Sequence, residues 1–134
     1  MTASPRTLQV VLTVTDYEQA LAFYRDGLGL EVLESWQVDG GRGVILEAGR
    51  ATLELLSVEE TERVDGIEVG EPASGHVRFA LEVDDSVQTA DALVAAGGER
   101  VGGPVVTPWN HRNVRVRAPD GMQLTLFSVL EEPG

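Results

Sequence analysis

An internal repeat constrains this chain more than any other feature of its sequence. Three pairs of helix signals recur 69 positions apart: Asp16 and Asp85, Gln19 and Gln88, and Gly29 and Gly98. An Asp followed three residues later by Gln is typical of a helix start, and Gly is typical of a helix end. The chain therefore consists of two copies of one unit. Such a unit cannot bury its sheet alone, so two copies must pair, within one chain or between chains.

Each copy reads as a strand, a helix and three further strands. In the first module, 7–57, we predict strands at 8–14, 31–38, 43–47 and 51–57, with a helix that begins at Asp16. In the second module, 76–130, we predict strands at 76–83, 99–107, 113–118 and 122–129, with a helix that begins at Asp85. The run Gly102-Gly103-Pro104 indicates a bulged or edge strand. The sequence thus predicts one α+β domain over 1–134, built from tandem βαβββ modules.

The segment 58–75 joins the two modules and has a different character. It carries six acidic residues and no sustained hydrophobic period. We therefore expect an acidic, solvated crossover linker there.

Charge and cysteine content exclude several function classes. Ten basic residues, all Arg, stand against 22 acidic ones, which gives a formal net charge of −12. Binding to nucleic acid or to anionic membranes depends on cationic side chains, so neither is an expected partner. The absence of Cys excludes disulfides, thiolate catalysis and Cys-ligated zinc. The chain shows no secretory signal or membrane-length apolar run, so we expect a cytoplasmic protein.

Strand alternation assigns a polar face to the predicted sheet. On the first strand, Leu8, Val10, Leu12 and Val14 form the apolar side that packs under the helix. The opposite face then collects mostly polar positions from four strands: Gln9, Glu54, His76, Arg78, Thr125 and Phe127. In a closed arrangement of two modules, such a face lines a pocket.

The order of several short motifs resembles the vicinal oxygen chelate superfamily, which contains glyoxalase I, extradiol dioxygenases and bleomycin-resistance proteins. The matching stretches are Val14-Thr15-Asp16, Ala22-Phe23-Tyr24-Arg25-Asp26, Leu28-Gly29-Leu30, Leu81-Glu82-Val83-Asp84-Asp85, Thr107-Pro108-Trp109 and Arg117-Ala118-Pro119-Asp120-Gly121. The resemblance implies two half-barrel modules around a shared cavity, often completed by a second protomer. It does not fix the chemistry, because this scaffold serves both catalysis and binding.

The resemblance also implies four metal-ligand positions, which fall on Gln9, Glu54, Arg78 and Thr125. Arg cannot ligate a divalent ion, and Thr is a weak neutral ligand. A shifted site of Gln9, Glu54 and His76 is the remaining arrangement for a metal. We therefore expect no cofactor, with a divalent metal as the alternative.

If the modules pair in this way, Glu54 and Arg78 should face each other. The guanidinium would then take over the positive charge that balances the carboxylate. Two interpretations stay open: the two residues clamp a polar group of a ligand, or they form a buried ion pair that plugs the cavity.

A loop and the strand that follows it supply further ligand-binding candidates. Trp109 is either a platform for a planar or cationic ligand or a cover for the sheet edge. His111 and Arg112 are candidates for a base and an anion-binding group, or are simply solvated. Trp36 is more typical of packing or an interface.

These observations leave three hypotheses about function. The first is a metal-free small-molecule binding protein of the bleomycin-resistance type, expected to be a homodimer as the resemblance implies, that sequesters an antibiotic or similar planar compound. The second is a divalent-metal lyase, isomerase or dioxygenase of the glyoxalase kind that uses Gln9 and Glu54. The third is a non-catalytic regulatory or interaction domain with a filled cavity.

Overall fold

The computed structural model describes residues 4–131, so residues 1–3 and 132–134 of the predicted domain lie outside it. The elements in chain order are β1 (Thr7–Val14), α1 (Tyr17–Leu21), β2 (Val32–Val38), β3 (Gly41–Ala48), β4 (Ala51–Ser57), α2 (Val58–Glu68), β5 (Val77–Glu82), α3 (Ser86–Ala95), β6 (Glu99–Val106), β7 (His111–Arg117) and β8 (Gln123–Val129). The predicted α+β fold of two βαβββ modules is confirmed. No helix within these residues is long and apolar enough to cross a membrane.

The two helix starts that define the repeat are formed as the sequence predicts. The side chain of Asp16 accepts a hydrogen bond from the Gln19 backbone N–H, and Asp85 accepts one from Gln88, each at 3.0 Å. These bonds satisfy backbone donors that the first helical turn leaves free. Helix α1 continues as a π-helical turn over Ala22–Gly27.

The modules pair within the single chain. The eight strands form one sheet in the order β2-β3-β4-β1-β5-β8-β7-β6. The central contact is antiparallel, between β1 and β5, with Val11 opposite Arg78. On either side of it, β1 runs parallel to β4 and β5 runs parallel to β8. β6 lies at one edge with register shifts around Gly102, as the glycines and proline there indicate.

Helices α1 and α3 cover the apolar face of the sheet. Leu21 of α1 packs with Val44, Leu46 and Leu55, and the partly buried Leu12 and Val14 of β1 join this cluster. Ala90 of α3 packs in a second cluster with residues of β7 and β8. The face assignment made from strand alternation therefore holds in both modules.

The expected solvated crossover is wrong for residues 58–68, which form helix α2. Ser57 caps it, because its hydroxyl accepts the Glu60 backbone N–H at 3.2 Å. The helix lacks a hydrophobic period because the side that it buries is largely polar: Glu60, Thr61, Val64, Asp65 and Glu68.

Helix α2 lies on the face of the sheet opposite α1 and α3. It contacts β3 and β4 of the first module and β6 and β7 of the second. In a flat sheet of this strand order, β3 and β7 would lie roughly 24 Å apart, more than twice the width of a helix. The sheet must therefore curve around α2, which leaves a cavity beside the helix.

Candidate ligand-binding cavity

A cavity of about 480 Å³ lies on the curved face, between the strands of both modules and α2. Its lining includes seven of the nine residues selected from the sequence: Gln9, Glu54, Arg78, Trp109, His111, Thr125 and Phe127. The lining alternates along each strand because residues of one face recur with a period of two. The two-module arrangement therefore gathers these side chains around one volume within one chain.

His76 and Arg112 lie outside the cavity, which corrects their selection as ligand-binding residues. The Nδ1 atom of His76 lies 2.9 Å from the carbonyl oxygen of Thr13, and the residue is exposed directly before β5. Arg112 falls between His111 and Asn113, so alternation directs it to the opposite face of β7. Its carbonyl oxygen accepts a hydrogen bond from Ser86 at the start of α3, on that opposite face.

The predicted ion pair between Glu54 and Arg78 is not formed. Both residues occupy the same row of the sheet, but Val11 of β1 stands between them. Their backbones are therefore separated by two strand spacings, roughly 10 Å. The ion pairs within 4.0 Å across residues 4–131 do not include this one. Arg78 turns to the other side and donates from Nη1 to Thr125 Oγ1 at 2.8 Å.

Arg78 is a buried cation at the cavity wall, with 5% of its surface exposed. Burial lowers the pKa of its guanidinium, and the nearby negative charge of Glu68 opposes that effect. The group stays charged because arginine does not lose its proton in proteins. Its single neutral partner, Thr125, in turn donates to Glu68 Oε1 at 3.4 Å. Arg78 is thus connected to α2 through a hydroxyl.

Glu54 is the most perturbed acid of the cavity. Burial raises the pKa of its carboxyl group to about 7, the charge of Arg78 opposes this, and Glu68, Glu34 and Glu60 add to it. All of these charges act from a distance rather than through hydrogen bonds. The carboxyl group is therefore divided between its neutral and ionised forms near neutral pH.

A buried ion network fixes α2 to the second module, and its centre is Arg115. This residue is 0% exposed, and its guanidinium binds Asp65 at 3.0 Å and Glu68 at 2.7 Å. Asn113 Nδ2 donates to the other oxygen of Glu68 at 2.9 Å. Although burial pushes the pKa of Asp65 upwards, hydrogen bonds from Ser74 and the Ala73 backbone, together with the Arg115 charge, bring it below its usual value.

A second network joins the start of α2 to the first module. Glu60 is 1% exposed and accepts two hydrogen bonds from Arg63, each at 2.8 Å. Its Oε2 also accepts the indole N–H of Trp36 at 2.8 Å. The Trp36 ring lies against Gly43, where a Cβ atom would come within 2.2 Å of it. The sequence predicts packing or an interface for Trp36, and in the structure it packs on Gly43 and also lines the cavity.

Aromatic rings form the other wall of the cavity. His111 stacks on Phe127 with ring centroids 5.0 Å apart and planes inclined by 13°. Burial lowers the pKa of His111, although the charges of Glu82, Glu34 and Glu68 oppose it. The imidazole is therefore mostly neutral near pH 7. Trp109 stands at the rim with 38% of its surface exposed and with the Arg63 guanidinium 5.9 Å from its ring centre.

The sequence contained signals for the residues that were missed. Ser57 and Glu60 form the Ser-x-x-Glu pattern of a helix N-terminus. Helical spacing from Glu60 then brings its neighbours on α2 to one side: Thr61, Val64, Asp65 and Glu68. Period-two alternation from His111 likewise places Asn113 and Arg115 on the cavity face.

The residues at the four implied ligand positions do not fit a divalent metal ion. Arg78 is a cation without a free lone pair, and its hydrogen bond occupies the hydroxyl oxygen of Thr125. Only Gln9 and Glu54 keep the oxygen chemistry that such an ion needs. No cluster of three or more His, Asp or Glu side chains in the described part of the chain is arranged as a metal site.

Comparison with known proteins places this geometry in a family. The model of the glyoxalase/bleomycin resistance protein/dioxygenase superfamily matches residues 6–126. The chain belongs to this superfamily. The resemblance read from the sequence motifs is thereby confirmed, and the strand order and module repeat are those of a superfamily member.

The proteins that match this superfamily member carry different names. The uncharacterized protein YraH of Bacillus subtilis is 30% identical over 132 residues, which covers 93% of this chain and 99% of the relative. A lactoylglutathione lyase of Neisseria meningitidis serogroup B is 32% identical over 108 residues, covering 75% and 74%. A methylmalonyl-CoA epimerase structure from Streptomyces coelicolor matches with a TM-score of 0.67 at 19% identity, covering 96% of this chain and 100% of the other, and shows the shared fold.

Proposed function

We propose that this protein binds a small planar organic molecule in its cavity without a bound metal ion, as an antibiotic-sequestering protein would. The observation that carries the proposal is the hydrogen bond from Arg78 to Thr125, which joins two of the four positions where the family pattern places ligands. A guanidinium at this place puts a fixed positive charge where a divalent ion would otherwise lie, so the cavity has no need of a metal. The aromatic wall and the volume of about 480 Å³ suit a planar molecule.

The second candidate is a metal-dependent lyase, isomerase or dioxygenase. It is favoured by the 32% identity to a protein named lactoylglutathione lyase and by the positions of Gln9 and Glu54 at the cavity wall. Arg78 and Thr125 argue against this candidate, because a guanidinium and the hydroxyl that it binds do not supply ligand atoms for a divalent ion. The third candidate, a regulatory domain with a filled cavity, is opposed by the open volume beside α2.

Metal analysis separates the first two candidates. Protein purified without an affinity tag is incubated with nickel, zinc, manganese or iron, desalted and analysed by mass spectrometry for bound metal. We expect the wild type to retain less than one equivalent of metal, and the Gln9→Leu variant to retain the same amount. One equivalent of metal that disappears in Gln9→Leu would instead establish the metal-dependent candidate.

Thermal unfolding with flat aromatic probes tests the binding function itself. A probe at a hundred times its dissociation constant stabilises the protein by about 2.7 kcal/mol, which gives a clear shift in Tm. We expect such a shift with at least one of three probes that share a ring system: N-methylquinolinium, quinoline and quinoline carboxylate. A flat response to all of them contradicts the proposal and favours the filled cavity.

The variant Arg78→Met distinguishes the two interpretations of this arginine. A residue that acts as a clamp loses affinity for the probe while the Tm of the free protein changes little. If Arg78 is purely structural, the Tm of the free protein falls, because Glu68 loses a compensating charge, and the affinity for the probe changes little.

A further inference from the structure

Among residues 4–131, the acids that are withdrawn from solvent around the cavity are matched by arginines with one exception, while Glu34 lines the cavity as an exposed acid. Glu60 is paired with Arg63 through two hydrogen bonds of 2.8 Å. The other two buried acids of α2, Asp65 and Glu68, both bind Arg115. One arginine neutralises only one of these two charges, so a second positive charge is needed nearby.

Arg78 supplies that second charge. Among the acids that favour its charged form, Glu68 has the largest effect, ahead of Glu54 and Asp65. The hydrogen bonds from Arg78 to Thr125 and from Thr125 to Glu68 give this relation a structural path. Two acids and two arginines therefore balance within the buried network.

Glu54 is then the partly buried acid of the cavity that has no ion-pair partner among the described residues. It lines the cavity, and β1 separates it from Arg78. The acids Glu68 and Glu34 add negative potential at its carboxyl group, and the charge of Arg78 reaches it across β1 without a hydrogen bond. His111 does not supply the missing charge, because burial lowers its pKa and keeps the ring neutral.

The walls near Glu54 suit a positively charged ring. Trp36 and Trp109 both line the cavity, and His111 and Phe127 present a stacked pair of rings. The faces of aromatic rings attract cations, and the attraction is stronger where water is excluded. The net charge of −12 attracts cations to the protein as a whole.

We propose that the cavity is selective for flat organic monocations and that the carboxylate of Glu54 is their counter-ion. This inference rests on the proposed binding function and adds the charge of the ligand and the residue that selects it. An anionic ligand would instead draw Arg78 away from the acids of α2 and would meet the negative potential around Glu54.

Three probes with one ring system test the selectivity: N-methylquinolinium, which is a permanent cation, neutral quinoline and quinoline carboxylate. Dissociation constants are measured by titration calorimetry at about pH 8, where most of the Glu54 side chains are ionised, with EDTA present to remove metal ions. We expect the cation to bind at least about tenfold more tightly than quinoline, and the carboxylate to bind most weakly.

Two variants with the same change of net charge locate the effect. Glu54→Gln keeps the shape of the side chain and removes its charge, so at about 0.15 M salt, where the diffuse charge of the protein is screened, most of the preference for the cation over quinoline should disappear. Glu47→Gln changes an exposed residue of β3 outside the cavity lining and should leave that preference unchanged. Glu54→Asp keeps the charge and should retain a preference for the cation, which provides a second reading if the glutamine variant folds poorly.

The outcomes separate this inference from the proposed function. Equal or tighter binding of quinoline or of the carboxylate would overturn the cation selectivity and leave the binding function in place. A cation preference at about 0.15 M salt that is as large in Glu54→Gln as in the wild type would overturn the role of Glu54. If none of the three probes binds, the proposed function itself is wrong, and the inference with it.

Discussion

Glu54 and Arg78 illustrate what a residue pattern predicts and what it leaves out. Alternation along β4 and β5 predicts that both side chains reach the cavity face, and both do. It does not give the strand order, and β1 lies between the two strands. The expected ion pair was therefore wrong, although the chemistry of each side chain was assigned to the right surface.

Arg115, which the sequence analysis did not select, shows the same limit of prediction from strand alternation. Its place in β7 puts it on the cavity face, and alternation could have predicted that. Its burial at 0% exposure depends on Asp65 and Glu68, which come from a segment about 50 positions away in the chain. A single sequence contains no local signal for such a long-range pairing.

The pKa of Glu54 predicts an unusual pH dependence of stability. In the unfolded chain the pKa of this carboxyl group is near its ordinary value of 4.5, and burial raises it to about 7 in the folded protein. Between these values the folded state binds more protons, so stability falls as the pH rises. Full ionisation of Glu54 should cost about 3 kcal/mol of unfolding free energy, lost as the pH rises from about 4.5 to about 8.

Urea unfolding of the wild type and Glu54→Gln at several pH values measures this loss. The difference between the two proteins removes the contribution of the other acids. We expect Glu54→Gln to gain stability relative to the wild type as the pH rises, with a plateau above about pH 8. Glu47→Gln is the control for a general charge effect. A pH-independent difference between wild type and Glu54→Gln would show that Glu54 ionises normally.

At the scale of elements, the helices divide into two kinds. Helices α1 and α3 bury apolar side chains against the sheet, and their caps and spacing predict them from the sequence. Helix α2 buries carboxylates that are compensated by arginines of the chain, so the hydrophobic period that usually reveals a helix is missing. Its capping pattern at Ser57 was the remaining local signal.

The position of α2 depends on two glycines, one near each end of the helix. A Cβ atom at Gly41 would come within 2.8 Å of Glu60 Cα, and one at Gly102 within 2.2 Å of the Glu68 carbonyl oxygen. Both clashes are with backbone, so a larger residue must displace the helix from the sheet. The cavity and the ion networks depend on this close approach.

Alanine substitutions at three glycines test the docking of α2. We expect Gly41→Ala and Gly102→Ala each to destabilise the protein by about 1–3 kcal/mol through overpacking. Gly66→Ala, at an exposed site of α2 with open space around its Cβ position, should stabilise it by up to about 1 kcal/mol. Urea midpoints at an unchanged m-value measure these effects. Neutral results at both Gly41 and Gly102 would mean that α2 adjusts freely.

At the scale of the whole molecule, the repeat predicted the architecture. The helix caps at Asp16 and Asp85 recur at the same 69-residue interval as the other repeated signals, which requires two equivalent modules. Each module needs a partner to bury its sheet. The repeat left open whether that partner is the same chain or another. Antiparallel pairing of β1 with β5 provides it within one chain, so one chain completes one cavity. The homodimer stays a prediction, which sedimentation measurements test.

The charge of the whole molecule and the charge of Glu54 should affect ligand binding in separable ways. The net charge of −12 is spread over the protein, and its field is screened by salt, with a Debye length of about 30 Å at 0.01 M and about 8 Å at 0.15 M ionic strength. Glu54 acts at short range inside the cavity, where screening is weak. Salt should therefore reduce the first contribution much more than the second.

Titrations of N-methylquinolinium at several salt concentrations separate the two contributions. We expect the affinity of the wild type to fall several-fold between about 0.01 M and 0.15 M salt, while the affinity for neutral quinoline stays constant. Glu54→Gln should bind the cation more weakly at every salt concentration and show a similar salt dependence. Loss of all cation preference in the wild type at high salt would mean that the diffuse charge, rather than Glu54, attracts the ligand.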